Sequence, residues 1–584
     1  MMVFSCKELQ RKSTAVFLFL LLLLTSCGLG SAQKGRKPSP DWSRGVPLDV
    51  SVAGTAGMVV TENGKTVHVA WPAVVDDDLA IHYMQLDETG TIVVDRTLDL
   101  PSGRARTPHL LLADNGQVQL VWARRLGGGV WELWQAIVDG EGDVVKTKQL
   151  STAVMNVSDY NVAQAATGQG FVVWEDAKTD SIWGAHLDEA ADPVLLVESG
   201  IAPSIEVDKS NNLHMSWFAN GTIFYTAYAK GQLALTTGIR IVDIELSQTD
   251  TLGGPELALT DDIGYVIWSR YIATGLESDT GRTDYVAFSL ANPVALAAPD
   301  RVSIMPAEEQ PYESYAGNYA LTTLAPPPFI SMGSNYTIQP SAASGRGDEV
   351  AVVVATQQQI RLNTFVQMAV AIFREGKFVG YEIAAKTEGF SQEGLLAADT
   401  VGNLHLIWRE GAGGRQLYYA TTSPALRDSL DALTGEDWLL AAFTGFFEGA
   451  TGLAFFPLAM LWLLPGGLIL GIRQFRVEDE SVASLSSYVL LAVSLILYQL
   501  TKLLVLPTVL SYVPFSSWIE VSAGWEMPLR IGYPIFSFIV SIIAAEWLRR
   551  KRPSTSTLLY FFTVCMVDVI FTLSVYGVAF LGNF

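Results

Sequence analysis

The residues best equipped for chemistry stand directly behind tryptophans. Arg124 and Arg125 follow Trp122, Glu175 and Asp176 follow Trp174, Arg270 follows Trp268, and Arg409 and Glu410 follow Trp408. Arginine presents planar paired donors to a carboxylate, sulfate or phosphate, and the acids accept from hydroxyls or from the arginines themselves. Gathered on one rim, these side chains would hold an anionic or sugar ligand. The competing reading is solvated loop ends that pair with one another, as exposed ion pairs do at little gain. An acid pair for glycoside hydrolysis needs a set separation of its carboxyls, which spacing along a chain does not fix.

No metal or cofactor is expected. Asp76, Asp77 and Asp78 offer oxygens to Ca²⁺ but lack alternating ligand spacing and a glycine turn. His68, His214 and His405 each lie three residues before a tryptophan, so they recur with a strand and belong to its packing. The only cysteines are Cys6, Cys27 and Cys565. The region between the last two therefore has neither disulfides nor a thiolate metal site. Arg346-Gly347-Asp348 and the sequons at Asn156, Asn220 and Asn335 are patterns short enough to arise by chance.

The elements that must position the post-Trp residues are strands. ENGKTVHVAW ends at Trp71, ADNGQVQLVW at Trp122, TGQGFVVW at Trp174, DKSNNLHMSW at Trp217, DDIGYVIW at Trp268 and DTVGNLHLIW at Trp408. Each is a Gly/Asn/Asp turn followed by four to six β-branched or aliphatic residues, which is strand chemistry. The Trp spacings are 51, 52, 43 and 51 residues, then 140. A period near 50 with several strands per unit predicts a β-propeller. The long gap takes one Trp-less unit at DEVAVVVATQ (Asp348–Gln357) and an insertion, 291–340, which makes seven blades. Post-Trp loops and blade-to-blade connections open on one face. The insertions after Trp268 and at 291–340 should stand over that mouth of the central channel.

The turn-strand-Trp phrasing resembles bacterial surface propellers of the neuraminidase-repeat (sialidase-like) type over residues 48–423. The resemblance implies the fold. The family's Asp-box is absent, and no Arg-Ile-Pro stretch supplies the first of its three carboxylate-clamping arginines, so sialidase activity is not implied.

Residues 1–32 read as a signal stretch, with Lys7, Arg11 and Lys12 ahead of an apolar core. Three outcomes stay open: lipidation of Cys27 in Leu24-Thr25-Ser26-Cys27, cleavage after Gly30-Ser31-Ala32, or an uncleaved anchor. A linker, 33–47, leads into the propeller at 48–423, and a linker or interfacial helix, 424–449, leads into the membrane block at 450–584. Four spans are expected there: Ala450–Ile472, Ser484–Leu510, Leu529–Leu548 and Thr557–Phe580. Arg473, Arg476 and Arg549 to Arg552 place two loops inside, which leaves the propeller and the C-terminus outside. Lys502 and Asp568 are charges within spans; Asp568 needs a polar partner, and Lys502 is poorly matched to it in depth.

Residues 33–437 hold 27 Lys/Arg against 50 Asp/Glu, net −23, which argues against nucleic acid. The function that fits is a membrane-anchored extracytoplasmic propeller binding a glycan or partner protein at the cell surface, with catalysis left open and binding preferred. With short cytoplasmic loops, any signal would pass through a partner protein in the membrane. The alternatives are a surface glycoside hydrolase or lyase, and a small transporter with an exported lid.

Overall fold

The computed structural model describes residues from 41 to 576, apart from short gaps and the longer stretches 273–279, 305–336, 411–415, most of 436–451, 477–483, 506–512, 515–522 and 553–555. The chain divides after Ala432 into two units.

The first unit is a seven-bladed propeller of four-stranded antiparallel sheets. Six blades are consecutive in the chain, beginning at Gly57–Val60, Arg104–Leu112, Val157–Gln164, Ile201–Val207, Asp250–Leu259 and Thr337–Arg346. Blade seven takes three strands from Ser391–Ala398, Leu404–Glu410 and Gln416–Thr421, and its outer strand is Val46–Ser51 from the start of the chain. The closing strand begins at Val46, inside the expected linker 33–47, and Gly57–Val60 already opens blade one. The inner strand of blade six likewise begins at Thr337, inside the predicted 291–340 insertion.

Trp71, Trp122, Trp174, Trp217, Trp268 and Trp408 are each at most 2% exposed, and each packs on the preceding blade. The wedge between neighbouring sheets explains the repeat: one large ring per blade fills it, and truncating such a ring costs about 3–5 kcal/mol. Gly238 lies so close to the ring of Trp217 that a Cβ would stand 2.2 Å from its Cη2. Blade six has Val354 at the equivalent register, and Phe373, Phe378 and Tyr381 fill the space against Tyr265 and Tyr285 of blade five.

The recurring histidines are interstrand ties. His68, His214 and His405 meet Tyr83, Tyr225 and Tyr419 through Nδ1 at 2.6, 2.6 and 2.8 Å. In two blades the turn ahead supplies an acid on the far side of the ring. Asp208 Oδ2 lies 3.2 Å from His214 Nε2, and Asp399 Oδ2 lies 3.7 Å from His405 Nε2. The same acids accept the backbone N–H groups that close their turns. A short helix, α1 (Pro424–Leu430), ends the unit with Leu426 and Leu430 buried.

The second unit includes, among the described residues, the helices α2 (Phe456–Gln474), α3 (Leu485–Val505), α4 (Ala523–Lys551) and α5 (Thr557–Tyr576). Three are long and apolar enough to cross a membrane, over Leu485–Leu504, Gly524–Lys551 and Thr557–Tyr576. The predicted first span is a shorter apolar helix, Ala459–Gln474. A 3₁₀ turn at Leu453–Phe455 precedes it, and the helix after that turn starts at Phe456. The interfacial helix expected at 438–449 lies largely outside the described residues.

Candidate functional site

In six blades the inner strand shifts register against the Trp strand at one level, between Arg106 and His109, Val157 and Tyr160, Ile201 and Ser204, Gly253 and Glu256, Ile338 and Ser341, and Gln392 and Leu395. Local sequence explains it. Pro108, Pro203, Pro255 and Pro340 have no N–H for the ladder, so the strand bulges there. The residues before them, and Glu393 before Gly394, take positive φ: Thr107 48°, Ala202 50°, Gly254 90°, Gln339 54° and Glu393 51°. A bulge re-aims the side chains around it, and on an innermost strand it turns them toward the channel.

Three carboxyls are brought together in this way. Glu206 of blade four accepts from Ser344 Oγ of blade six at 3.2 Å, passing the inner edge of blade five, so its side chain lies in the channel. Glu256 of blade five accepts from Ala342 N at 3.2 Å. Asp159 of blade three accepts from Tyr160 N at 2.9 Å. Glu206 and Glu256 are partly open to water, yet atoms of several blades crowd them. Burial pushes Glu256 up to about 8, aided by the charges of Glu206 and Asp159. Burial alone takes Glu206 up to about 7. Asp159, exposed on its strand, is raised to about 6 by the atoms crowding its carboxyl and by the charge of Glu175, against the Tyr160 N–H and Arg106. Tyr160 closes the group, with its hydroxyl accepting from Ala123 N at 3.0 Å and donating to Thr107 O.

The sequence-predicted residues divide into braces and one open patch. Glu175 bridges blades three and four, accepting from Ser158 Oγ at 2.6 Å and Ala202 N at 3.1 Å. Asp176 is buried and organises its own loop through Asn156 N and Thr179 Oγ1. Glu410 accepts from Gly389 N and from Trp408 Nε1, at 3.0 and 2.8 Å. Arg270 is paired with Asp284 at 3.1 Å, and Arg409 with Glu393, whose other oxygen takes Thr55 Oγ1 of blade one. Arg124 is buried, donating to Ser102 O at 2.6 Å with Glu132 at 3.9 Å. Arg125 emerges on the other side of the same strand. Asp76 and Asp77 lie outside the described residues; Cys27 does too.

Sequence reasoning missed Arg106, Asp159, Glu206 and Glu256. A signal was present: Glu206 and Glu256 sit inside apolar runs, PSIEV and PELAL, each just behind a proline that no central strand tolerates unbulged.

In the second unit Asp568 is fully buried with both oxygens occupied. Oδ1 accepts from Ser537 Oγ at 2.7 Å, and Oδ2 from Tyr498 Oη at 2.6 Å and Lys502 Nζ at 2.7 Å. The expected depth mismatch with Lys502 is thus overturned, because the long lysine stem carries its ammonium along the helix to the acid.

No protein-family model matches the chain, and no curated protein matches it. Solved structures do. An ulvan lyase, described as a new polysaccharide lyase family, is 10% identical at a TM-score of 0.40, covering 69% of this chain and 99% of its own. A GH43_1 enzyme from Xanthomonas citri is 14% identical at 0.28, covering 44% and 96%. An endo-arabinase from Bacteroides thetaiotaomicron is 13% identical at 0.28, covering 45% and 99%. At this distance the likeness is one of fold. The class is therefore a seven-bladed propeller followed by an apolar helical unit, and its function must be argued from its own residues.

Proposed function

We propose that this chain is a membrane-attached, extracytoplasmic propeller that takes a ligand at the channel mouth on the face where the Trp strands end. The observation that carries the reading is the gathering of Asp159, Glu206 and Glu256 below that mouth. Among the described residues, Glu206 and Glu256 have no basic partner. Like charges held together in a crowded channel cost stability, and proteins accept such a cost where they bind or react. Three apolar helices support attachment, and the stretch 1–32 supports export.

A second reading, glycoside hydrolysis, has its own support. Glu256 holds its proton at neutral pH and feels the charge of Asp159, which ionises near 6, and carboxyls whose affinities differ in this way suit a proton donor and a base.

The test uses full-length protein in detergent micelles, screened on glycan and surface-protein arrays and on aryl glycosides. Binding should vanish in a Asp159→Asn, Glu256→Gln double variant whose melting temperature is not lowered. Turnover that Glu256→Gln alone abolishes selects the second reading. A ligand that binds the double variant as tightly as the parent removes the channel mouth from both.

A further inference from the structure

The second blade gathers arginines where a net-negative domain has least reason to. Arg104 and Arg125 are directly opposite in the antiparallel pair, and Trp131 is directly opposite Arg125 on the other side. Residues opposite one another share a face, and Arg106, two along from Arg104, shares it too. Arg106 stands 4.0 Å from the centroid of Trp131 and Arg125 stands 4.8 Å from it, so one indole orients two guanidinium groups. Arg106 spends one nitrogen on Val157 O and Ser158 O of blade three, each at 3.0 Å.

The other two have no such use. Among the described residues, neither Arg104 nor Arg125 makes a hydrogen bond or ion pair, and Nε of Arg125 is buried without a partner. The lack of a carboxylate partner sets them apart from Arg124, Arg270, Arg346, Arg374 and Arg409, each of which faces one. Like charges directly opposite in a sheet repel, and a stacked guanidinium still presents its N–H edge. The arrangement is unfavourable until an anion joins it. Beside it, in the groove toward blade three, lie Ser158, Asp159 and Glu175, which can accept from or donate to hydroxyl groups.

We infer that Arg104, Arg106 and Arg125 form a subsite for the carboxylate or sulfate of a ligand that also carries hydroxyl groups, with Trp131 fixing the arginine planes. The inference rests on the proposed channel-mouth reading and supplies the chemistry of its ligand. Arg106 is tied to blade three, while Arg104 and Arg125 keep their N–H groups for the ligand.

The test is calorimetric titration of full-length protein in detergent micelles with glucuronate, glucose 6-sulfate, glucose and inorganic sulfate. At least one charged sugar should bind about tenfold or more tightly than both glucose and inorganic sulfate. Arg104→Gln and Arg125→Gln should each weaken it about tenfold or more, the usual weight of a hydrogen bond to a charged group. The exposed Lys65→Gln serves as control and should change nothing. Unliganded, Arg104→Gln should melt no lower than the parent, because it relieves repulsion. Inorganic sulfate binding as tightly as the charged sugars marks an adventitious ion only and overturns the inference. So does a charged sugar, or an array ligand, that binds the double arginine variant undiminished. If that ligand is lost in Asp159→Asn, Glu256→Gln, the channel mouth stands and only the arginine subsite falls.

Discussion

Single side chains set opposing pH dependences in the propeller. Burial holds His68 down to about 4, so between 6.5 and 4 the unfolded chain takes a proton that the fold refuses. Stability from this site falls as pH falls through that window. Burial raises Asp399, but hydrogen bonds from His405 and Asn403 outweigh it and hold the carboxyl at about 2, so its contribution is lost in more acid solution still. Glu206 and Glu256 act the other way. Raised from 4.5 to about 7 and 8, they bind protons in the fold that the unfolded chain has released, and stability falls as pH rises through that range. The melting temperature should therefore peak in mildly acid solution. Glu206→Gln with Glu256→Gln should flatten the flank between pH 5 and 8, a change of several kcal/mol at pH 8. An unaltered flank would mean that the two acids do not share the channel.

Elements carry two further tests. The inner-strand bulge imposes positive φ on non-glycine residues, and each such residue costs about 1 kcal/mol or more. Ala202→Gly removes that strain without touching a side-chain contact of note. The variant should gain about 0.5–1 kcal/mol in chemical unfolding, and a loss would mean that the bulge is relaxed. The bulges also explain why the blades were legible in the sequence while the channel was not. Trp strands keep strict register, so Trp71 through Trp408 announce themselves. One extra residue in the inner strand reverses the alternation beyond it, and Glu206 and Glu256 then point where no period-2 pattern puts them. Blade six was readable from its valine run alone, although its filler rings lie on other strands. In the helical unit, Lys502 and Asp568 tie α3 to α5, with Ser537 adding α4. Asp568→Asn should destabilise that unit by about 3–5 kcal/mol, since it strands a buried ammonium, while Lys502→Met with Asp568→Leu should recover most of the loss. Thermal unfolding in micelles reads both. A neutral single substitution would refute the tie.

At the scale of the whole molecule, orientation turns on whether α2 crosses. Arg473 closes α2 and Arg476 follows it, and Arg549 to Arg552 close α4 and follow it. Two crossings by α3 and α4 return these clusters to one side, which the charge rule makes the cytoplasmic one. An exported propeller then requires one more crossing before Arg473, and among the described residues α2 is the helix available. Its 19 residues reach about 28 Å, close to the roughly 30 Å hydrocarbon core. Single-cysteine variants at Ser517 and Ser554 report on this: Ser517 should react with an impermeant maleimide on intact cells and Ser554 should not. The reverse pattern would put the propeller inside if α2 crosses, and would leave it outside if α2 lies along the surface.

The clasp of blade seven also has a temporal side. Val46–Ser51 is among the first strands to be synthesised, yet its partner Gln416–Thr421 comes last. Until then the early strand is an open edge, and an open edge accepts whichever matching strand arrives first. Closure within one chain competes with exchange between neighbouring chains, and crowding decides between them. A ring that needs its two ends to meet is therefore also a latent chain link.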